Sequence, residues 1–239
     1  ERGIRVLTFG RKCGADFRMT GWEPTATGQC FSIIHAGHTY RVELPLIGAF
    51  QAMNILAAIT ITVASGADLE KVVGVVARLE GVRGRMELAA QDPNGAPIFV
   101  DYAHKAEALE TVLKAIRPHV AGALHVVFGC GGDRDKGKRP EMGRIAAELA
   151  DGVFVTDDNP RSEKAETIRA EIMEGAPSAI EIGDRAEAIR VAMTALGAGD
   201  VLVIAGKGHE TGQIVGQKII PFSDHEAVSA ALSSLGGAA

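Results

Sequence analysis

From about residue 98 onward, short apolar runs alternate with helix-forming stretches, and this alternation limits the fold more than any other feature. The runs are Ile98–Tyr102, Leu124–Phe128, Val153–Thr156, Ala179–Ile182 and Val201–Ala205. Each is strand length and bounded by turn residues, so each reads as a buried strand. The segments Ala106–Arg117, Glu141–Ala150, Lys164–Met173 and Arg185–Leu196 read as the helices between them, and a last helix runs from Asp224 to about Leu232. Asp184 is an expected N-cap, with Glu187 completing a capping box, and Asp224 is expected to start the final helix in the same way. Strand–helix alternation with apolar strands implies an α/β fold with a mostly parallel sheet covered on both faces. Ligands of such sheets bind beyond the carboxyl ends of the strands.

Four polar clusters fall at those ends. Asp101-Tyr102-Ala103-His104 closes the first run, and Gly129–Pro140 follows the second. The latter carries three glycines in Gly129–Gly132 and four cations, Arg134, Lys136, Lys138 and Arg139. A glycine loop between a strand and a helix N-terminus suits an anion; a tight turn with a solvated basic tip is the alternative. Pro140 fits the first helical position. The loop departs from a P-loop because Arg139 stands where a Ser or Thr would be, and from a dinucleotide fingerprint because Arg134 replaces the third glycine. Asp158-Asn159-Pro160-Arg161 ends the third run, and Gly206-Lys207-Gly208-His209-Glu210 ends the fifth. Arg161 can hold a carboxylate in bidentate fashion, or the turn simply caps the next helix with Arg161 exposed. Glu210 can receive an ammonium, so Arg134, Arg161, Asp158 and Glu210 together suit a zwitterion such as an amino acid. His209 is either an acid/base group or a structural one. No Ser-His-Asp or metal-ligand spacing stands out.

The first third of the chain reads differently. Gly3–Phe9, Asp16–Trp22, Gln29–Ile34 and His38–Glu43 look like short strands, with Gly37 turning between the last two and His35 and His38 exposed beside it. Ala49–Ala64 is a largely apolar helix in which Asn54 is the polar exception. Asp68 caps a second helix through Leu79. Gly81–Glu87, with two glycines alternating with arginines, suggests a hinge or linker between domains. A net charge of −5 over 239 residues argues against a nucleic-acid-coating protein. Cys13, Cys30 and Cys130 are odd in number and widely spaced, which suggests a reducing compartment. No apolar run reaches membrane-spanning length. The first residue is not Met, and a piece of a longer protein is expected, although a processed terminus would look the same.

Six segments in order carry a family resemblance: Gly48–Ala58, Gly84-Arg85-Met86-Glu87, Val100–His104, Gly129–Gly143, Asp158–Arg161 and Gly206–Glu210. The chain resembles the C-terminal half of the Mur ligase family, in its diaminopimelate-adding type. The resemblance implies that residues 1–82 are the C-terminal part of a central ATP-binding domain. Residues 83–239 would be a C-terminal Mur ligase domain with a Rossmann-like, doubly wound sheet that binds the amino acid. It implies an ATP-dependent ligase of peptidoglycan synthesis, cytoplasmic, using ATP and Mg2+, with no nucleic-acid or membrane partner. The substrates would be meso-2,6-diaminopimelate and UDP-N-acetylmuramoyl-L-alanyl-D-glutamate, joined through an acyl phosphate. By resemblance, Asn54 and Asp101 contact adenine and ribose, Arg85 faces the phosphates and His104 lies beside the nucleotide. Arg134, Asp158, Asn159, Arg161, Gly206 and Glu210 match the amino-acid site, and the Asp-Asn-Pro-Arg form is that of diaminopimelate users. The family's P-loop, magnesium-binding Glu and His, and carbamylated lysine lie upstream of this stretch, so these residues alone are not expected to catalyse or to hold a metal. Gln51 stands where the family often has Asn, and Ala106-Glu107 replace a common Pro-Asp. A non-catalytic amino-acid or nucleotide binding module is the competing expectation.

Overall fold

The computed structural model describes residues 4 and 6–236. The chain divides into two compact units, 1–81 and 82–239.

In the first unit, β1 (Phe9–Gly10), β2 (Phe17–Thr25), β3 (Gly28–His35) and β4 (His38–Leu44) form one sheet in chain order. β1 pairs parallel with β2, and the other neighbours are antiparallel. The expected strand at Gly3–Phe9 begins on residues outside the described set, and regular pairing is confined to Phe9–Gly10. Helices α1 (Ala49–Ala64) and α2 (Leu69–Val76) cover the sheet. Alternate strand residues Phe17, Met19, Phe31, Ile33, Val42 and Leu44 point inward and meet Leu56, Ile59, Leu69 and Val76, the period-2 pattern of a half-buried sheet. Asp68 caps α2 by accepting from the Lys71 amide at 3.0 Å. Of the two hairpin histidines only His38 is exposed. His35 is half-buried and stacks on Phe17 with ring centroids 3.9 Å apart.

The second unit is the α/β part. Its strands are β5 (Glu87–Gln91), β6 (Pro97–Asp101), β7 (Leu124–Phe128), β8 (Gly152–Val155), β9 (Ile180–Glu181) and β10 (Val201–Ala205), in the order β5-β6-β10-β7-β8-β9. All neighbours are parallel except β5, which runs antiparallel to β6. Strand β10 is inserted between β6 and β7, so it returns to the centre of the sheet after β9 has formed the far edge. Ile98, Val100, Val127, Phe154, Leu202 and Ile204 face α6 (Arg185–Thr194) and α7 (Asp224–Gly236). The alternating residues Phe99, Val126, Phe128, Val155 and Val203 are equally buried. They point to the opposite face, where α3 (Ala106–Ile116), α4 (Lys138–Leu149) and α5 (Ala165–Met173) pack side by side.

Three local expectations change. Helix α4 starts at Lys138, with Gly137 as N-cap, so Pro140 is its third residue rather than its first. Asp224 does not cap α7; its carboxylate pairs with Arg185, both fully buried, at 2.7 Å. Asp184 does accept from the Glu187 amide at 2.9 Å, but the Glu187 side chain pairs with Arg190 instead of closing the capping box. A hairpin of β11 (Gly212–Val215) and β12 (Lys218–Pro221) has no counterpart in the sequence reading. Gly84–Glu87 is built into this unit: the Met86 amide donates to Asp101 Oδ2 at 2.7 Å and Glu87 opens β5.

Candidate functional site

The carboxyl ends of β6, β7, β8 and β10 lie side by side, and their loops enclose a cavity of about 530 Å³. Tyr102 and His104 come from β6, Gly129, Gly131 and Arg134 from β7, Asp158, Asn159 and Arg161 from β8, and Gly206 and Glu210 from β10. Lys138 and Glu141, in the first turn of α4, complete one wall. Strand order decides this gathering: because β10 sits between β6 and β7, its loop reaches residues that precede it by about half the chain.

The turn after β8 is held in an unusual backbone state. Arg161 has φ 50, a left-handed conformation that costs a non-glycine residue of order 1 kcal/mol. Strand β11 and the turn after it fix it from both sides: the Arg161 amide donates to the Ile214 carbonyl at 3.0 Å, and the Arg161 carbonyl accepts from the Gly216 amide at 2.7 Å. Its guanidinium then reaches back over the glycine loop, where Nη1 donates to the Gly132 carbonyl at 2.8 Å. Gly132 is required by space, because a Cβ there would collide with the Pro160 carbonyl oxygen, whereas a Cβ at Gly131 would lie 2.7 Å from Arg161 Nη1 and displace that guanidinium.

The four cations of the β7 loop separate into different uses. Arg139 is fully buried, donating from Nη1 to Glu163 at 3.0 Å and Glu171 at 2.6 Å, and from Nη2 to Glu163 at 2.9 Å. Lys136 pairs with Glu163 at 3.1 Å. Lys138 donates to the His104 carbonyl at 2.5 Å. Arg134 donates only to the Asp133 carbonyl, and among the described residues neither it nor Arg161 makes an ion pair. Two of the four cations expected to hold an anion are therefore spent inside the protein. The Arg139 guanidinium, the Asp133 amide and Lys136 together lower the Glu163 carboxyl to about 2.

Facing these guanidiniums are two acids. Asp158 is buried; its Oδ1 accepts from the Asn159 amide at 2.7 Å and its Oδ2 faces Gly206. Burial pushes the Glu210 carboxyl up, but hydrogen bonds from Lys207 and Asn159 and the nearby charges outweigh this and leave it below its ordinary value. At the β6 side, Tyr102 stacks with His209, ring centroids 5.5 Å apart, and meets His104 edge-on at 4.7 Å. Arg85 lies over the same ring at 4.6 Å, a cation–π geometry.

These positions sort the residues singled out from the sequence. His104, Arg134, Asp158, Asn159, Arg161, Gly206 and Glu210 all line the one cavity. Arg85 is exposed and reaches it only through Tyr102. Asp101 is buried behind it, with Oδ2 taken by the Met86 amide and Oδ1 by the Ala103 amide, each at 2.7 Å. Burial pushes the Asp101 carboxyl up, and those amides and Arg85 offset this only in part. Asn54 belongs to the first unit, on α1, where it is exposed and donates to Gln51 Oε1 at 3.2 Å. The described residues bring together no group of three or more His, Cys, Asp or Glu side chains that could hold a metal.

Residues 84–208 match the family model described as the Mur ligase glutamate ligase domain, and residues 1–62 match the Mur ligase middle domain. The chain belongs to the Mur ligase family. Among curated Mur ligases, it is 54% identical to the UDP-N-acetylmuramoyl-L-alanyl-D-glutamate–2,6-diaminopimelate ligase of Bradyrhizobium diazoefficiens over 98% of this chain and 48% of that one. It is 50% identical to the ligase of the same name from Agrobacterium fabrum, over 99% and 48%. A solved structure of a UDP-N-acetylmuramoyl-L-alanyl-D-glutamate–2,6-diaminopimelate ligase superimposes with a TM-score of 0.83 at 38% identity, covering 97% of this chain and 48% of that one. The chain thus spans about half the length of the Mur ligases it matches. No helix among the described residues is long and apolar enough to cross a membrane.

Two residues of this Mur ligase chain were not legible as site residues. Gln213 donates to the Asp158 carbonyl at 2.6 Å from β11, but nothing in the sequence marks β11 as part of the rim. Tyr102 sits inside a motif already noted, yet only its three ring neighbours reveal its position.

Proposed function

We propose that this chain supplies the amino-acid site of an ATP-dependent amide ligase that adds meso-2,6-diaminopimelate to UDP-N-acetylmuramoyl-L-alanyl-D-glutamate. The observation that carries the reading is the charge pattern of the cavity. Two guanidiniums without acid partners, Arg134 and Arg161, share it with the carboxylates of Asp158 and Glu210. Diaminopimelate has two carboxylates and two amines, and each finds a counterpart here. Lysine lacks the second carboxylate and would leave one guanidinium without its anion.

In this reading the residues up to about 82 are the end of a central ATP-binding domain, and residues from 83 bind the amino acid. A bound nucleotide with magnesium would supply the γ-phosphoryl group that activates the D-glutamate side-chain carboxylate, the nucleoside diphosphate being the leaving group. The deprotonated incoming amine would attack the activated carbonyl carbon; the C–N bond forms as the C–O bond to phosphate breaks, phosphate leaves and the remaining excess amine proton passes to solvent. Arg134 and Arg161 orient diaminopimelate through its carboxylates, while Asp158 and Glu210 receive an ammonium. Such orientation converts an encounter into a near-unimolecular step. Exposed Arg85 is the cation of this unit open to a nucleotide. The donor set described here does not fit magnesium, so no step is assigned to a metal on these residues. The reaction is placed in the cytoplasm, where the nucleotide substrates are.

The test compares kcat/KM for diaminopimelate and lysine in the full-length enzyme carrying this sequence. Diaminopimelate should be preferred by about tenfold or more, the value of one charged hydrogen-bond partner. Equal use of the two amino acids would refute the assignment.

A further inference from the structure

Lys207 takes no part in the reading above, yet its side chain is fully buried. A lysine is rarely removed from water unless its ammonium is paired. Its Nζ lies 2.9 Å from Glu210 Oε2 and 3.2 Å from Asn159 Oδ1. An ammonium can only donate, so Asn159 must turn its oxygen towards Lys207. That choice aims the Asn159 Nδ2 at Glu210 Oε2, 3.0 Å away. The Ile214 amide donates to the same Asn159 oxygen at 2.9 Å and locks the amide in this sense. Lys207, Asn159 and Glu210 thus close a three-membered ring of hydrogen bonds. The ring uses Oε2 of Glu210. Its other oxygen, Oε1, has no hydrogen-bond partner among the described residues, and the side chain is one-third exposed at the cavity wall.

We propose that Lys207 is a positioning residue for the incoming amino acid: its buried ammonium fixes Asn159 and Glu210 so that Glu210 Oε1 alone is presented to a ligand ammonium. The inference rests on the reading of this cavity as the amino-acid site. Lys207 does not touch the ligand; it acts through the two side chains it holds. The glycines on either side are part of the device. Gly206, at φ 114, takes the chain over Asp158, and Gly208, at φ 54, turns it against Tyr102 and Gly84, so that Lys207 between them points inward. Its charge also offsets one of the two carboxylates, Asp158 and Glu210, that this wall brings together. Two further cations act on Glu210, Arg161 after β8 and the buried Arg185 at the start of α6.

The test uses the full-length enzyme carrying this sequence. Lys207→Met keeps the aliphatic stem and removes the ammonium. KM for diaminopimelate should rise about tenfold or more, as expected for loss of a charged hydrogen bond, while KM for ATP stays within about twofold. A second readout is pH. Without the ammonium, Glu210 loses the partner that keeps it ionised, so the rise in KM should grow as pH falls from about 7 to about 5, where ordinary glutamates begin to protonate. The wild type should show no such growth. Lys207→Met can fail to fold, because it leaves Glu210 uncompensated, and the neutral double variant Lys207→Met/Glu210→Gln avoids this. Compared with Glu210→Gln alone, the double variant should bind diaminopimelate equally in calorimetry, within about twofold, because residues acting as one unit are not additive. A further tenfold loss in the double variant overturns the proposal, as does an unchanged KM in Lys207→Met. Arg161→Ala, measured in parallel, separates the two ideas. If it raises KM for diaminopimelate and Lys207→Met does not, only the role of Lys207 fails. If Arg161→Ala changes nothing, the amino-acid site itself is misplaced and the role of Lys207 falls with it.

Discussion

Arginines at the carboxyl end of the sheet behave in two opposite ways. Arg185 and Arg139 are sealed: each is fully buried, and each holds carboxylates from other elements. Arg134 and Arg161 are open: they face the cavity and bond only to backbone carbonyls. The two kinds lie within a few residues of one another in the sequence, since Arg134 is in the loop after β7 and Arg139 in the first turn of the helix that follows it. The difference teaches that a basic loop is not by itself an anion site. A guanidinium already surrounded by carboxylates has no charge to offer a ligand, and one with only carbonyl partners keeps its full charge available.

The contrast can be broken experimentally. The largest effect belongs to the sealed kind. Arg185→Met leaves Asp224 buried without a counter-ion and should cost about 3–5 kcal/mol of stability, the usual cost of breaking a buried ion pair from one side. Chemical denaturation measures it, and a loss below 1 kcal/mol would show that the pair is not sealed. Burial opposes the Arg185 charge, and the Asp224 carboxylate more than offsets that, so the guanidinium stays protonated at any working pH.

Next comes the open kind. Arg161→Ala should change stability by about 1 kcal/mol or less but reduce kcat/KM for diaminopimelate by about tenfold or more. ATP affinity should hardly move. A variant that keeps its preference for diaminopimelate over lysine would remove Arg161 as the selector.

A third effect is pH-dependent. Glu163 is held at about 2 by Arg139 first, below an ordinary value of 4.5. A depressed carboxyl stabilises the folded state fully above its unfolded value and loses that contribution as pH falls through its folded value. The stability difference between wild type and Glu163→Gln should therefore be constant above about pH 4.5 and shrink between about pH 4.5 and pH 2. A difference that does not change over this window would mean that Arg139 is not held by charge. The smallest effect is at the surface: Arg144 and Glu148 pair at 2.7 Å but are half exposed, and Arg144→Ala should leave the unfolding midpoint unchanged within error.

Much of the frame was legible locally. The runs at Leu124–Phe128 and Val201–Ala205 are strands with the expected boundaries, and the helix at Ala49–Ala64 also matches. Each satisfies its own pattern within a few residues. Helix α4 starts earlier than the sequence predicts because Pro140 reads as its first residue, whereas a missing N–H is tolerated anywhere in the first turn and Pro140 is the third residue. Strand β5 carries no local strand signal because Glu87–Gln91 is an edge strand of small and exposed residues, with a bulge between Leu88 and Ala90. The β11–β12 hairpin carries none for a similar reason: it is two-stranded and largely exposed, so no buried run marks it.

By itself, the sequence determined the alternation of strands and helices, the family, and the polar clusters at the strand ends. These follow from short-range causes: periodicity, glycine turns and motif order. Tertiary structure alone decided which charges are spent and which remain. Arg139 finds Glu163 and Glu171 across 24 and 32 positions of sequence, and Arg185 finds Asp224 across 39. Arg161 owes its left-handed backbone to a strand more than fifty residues later. Lys207 becomes a buried anchor only because β10 returns between β6 and β7 and brings its loop beside Asn159. Pairing of charges depends on proximity in space, and strand order, which no local pattern encodes, sets that proximity.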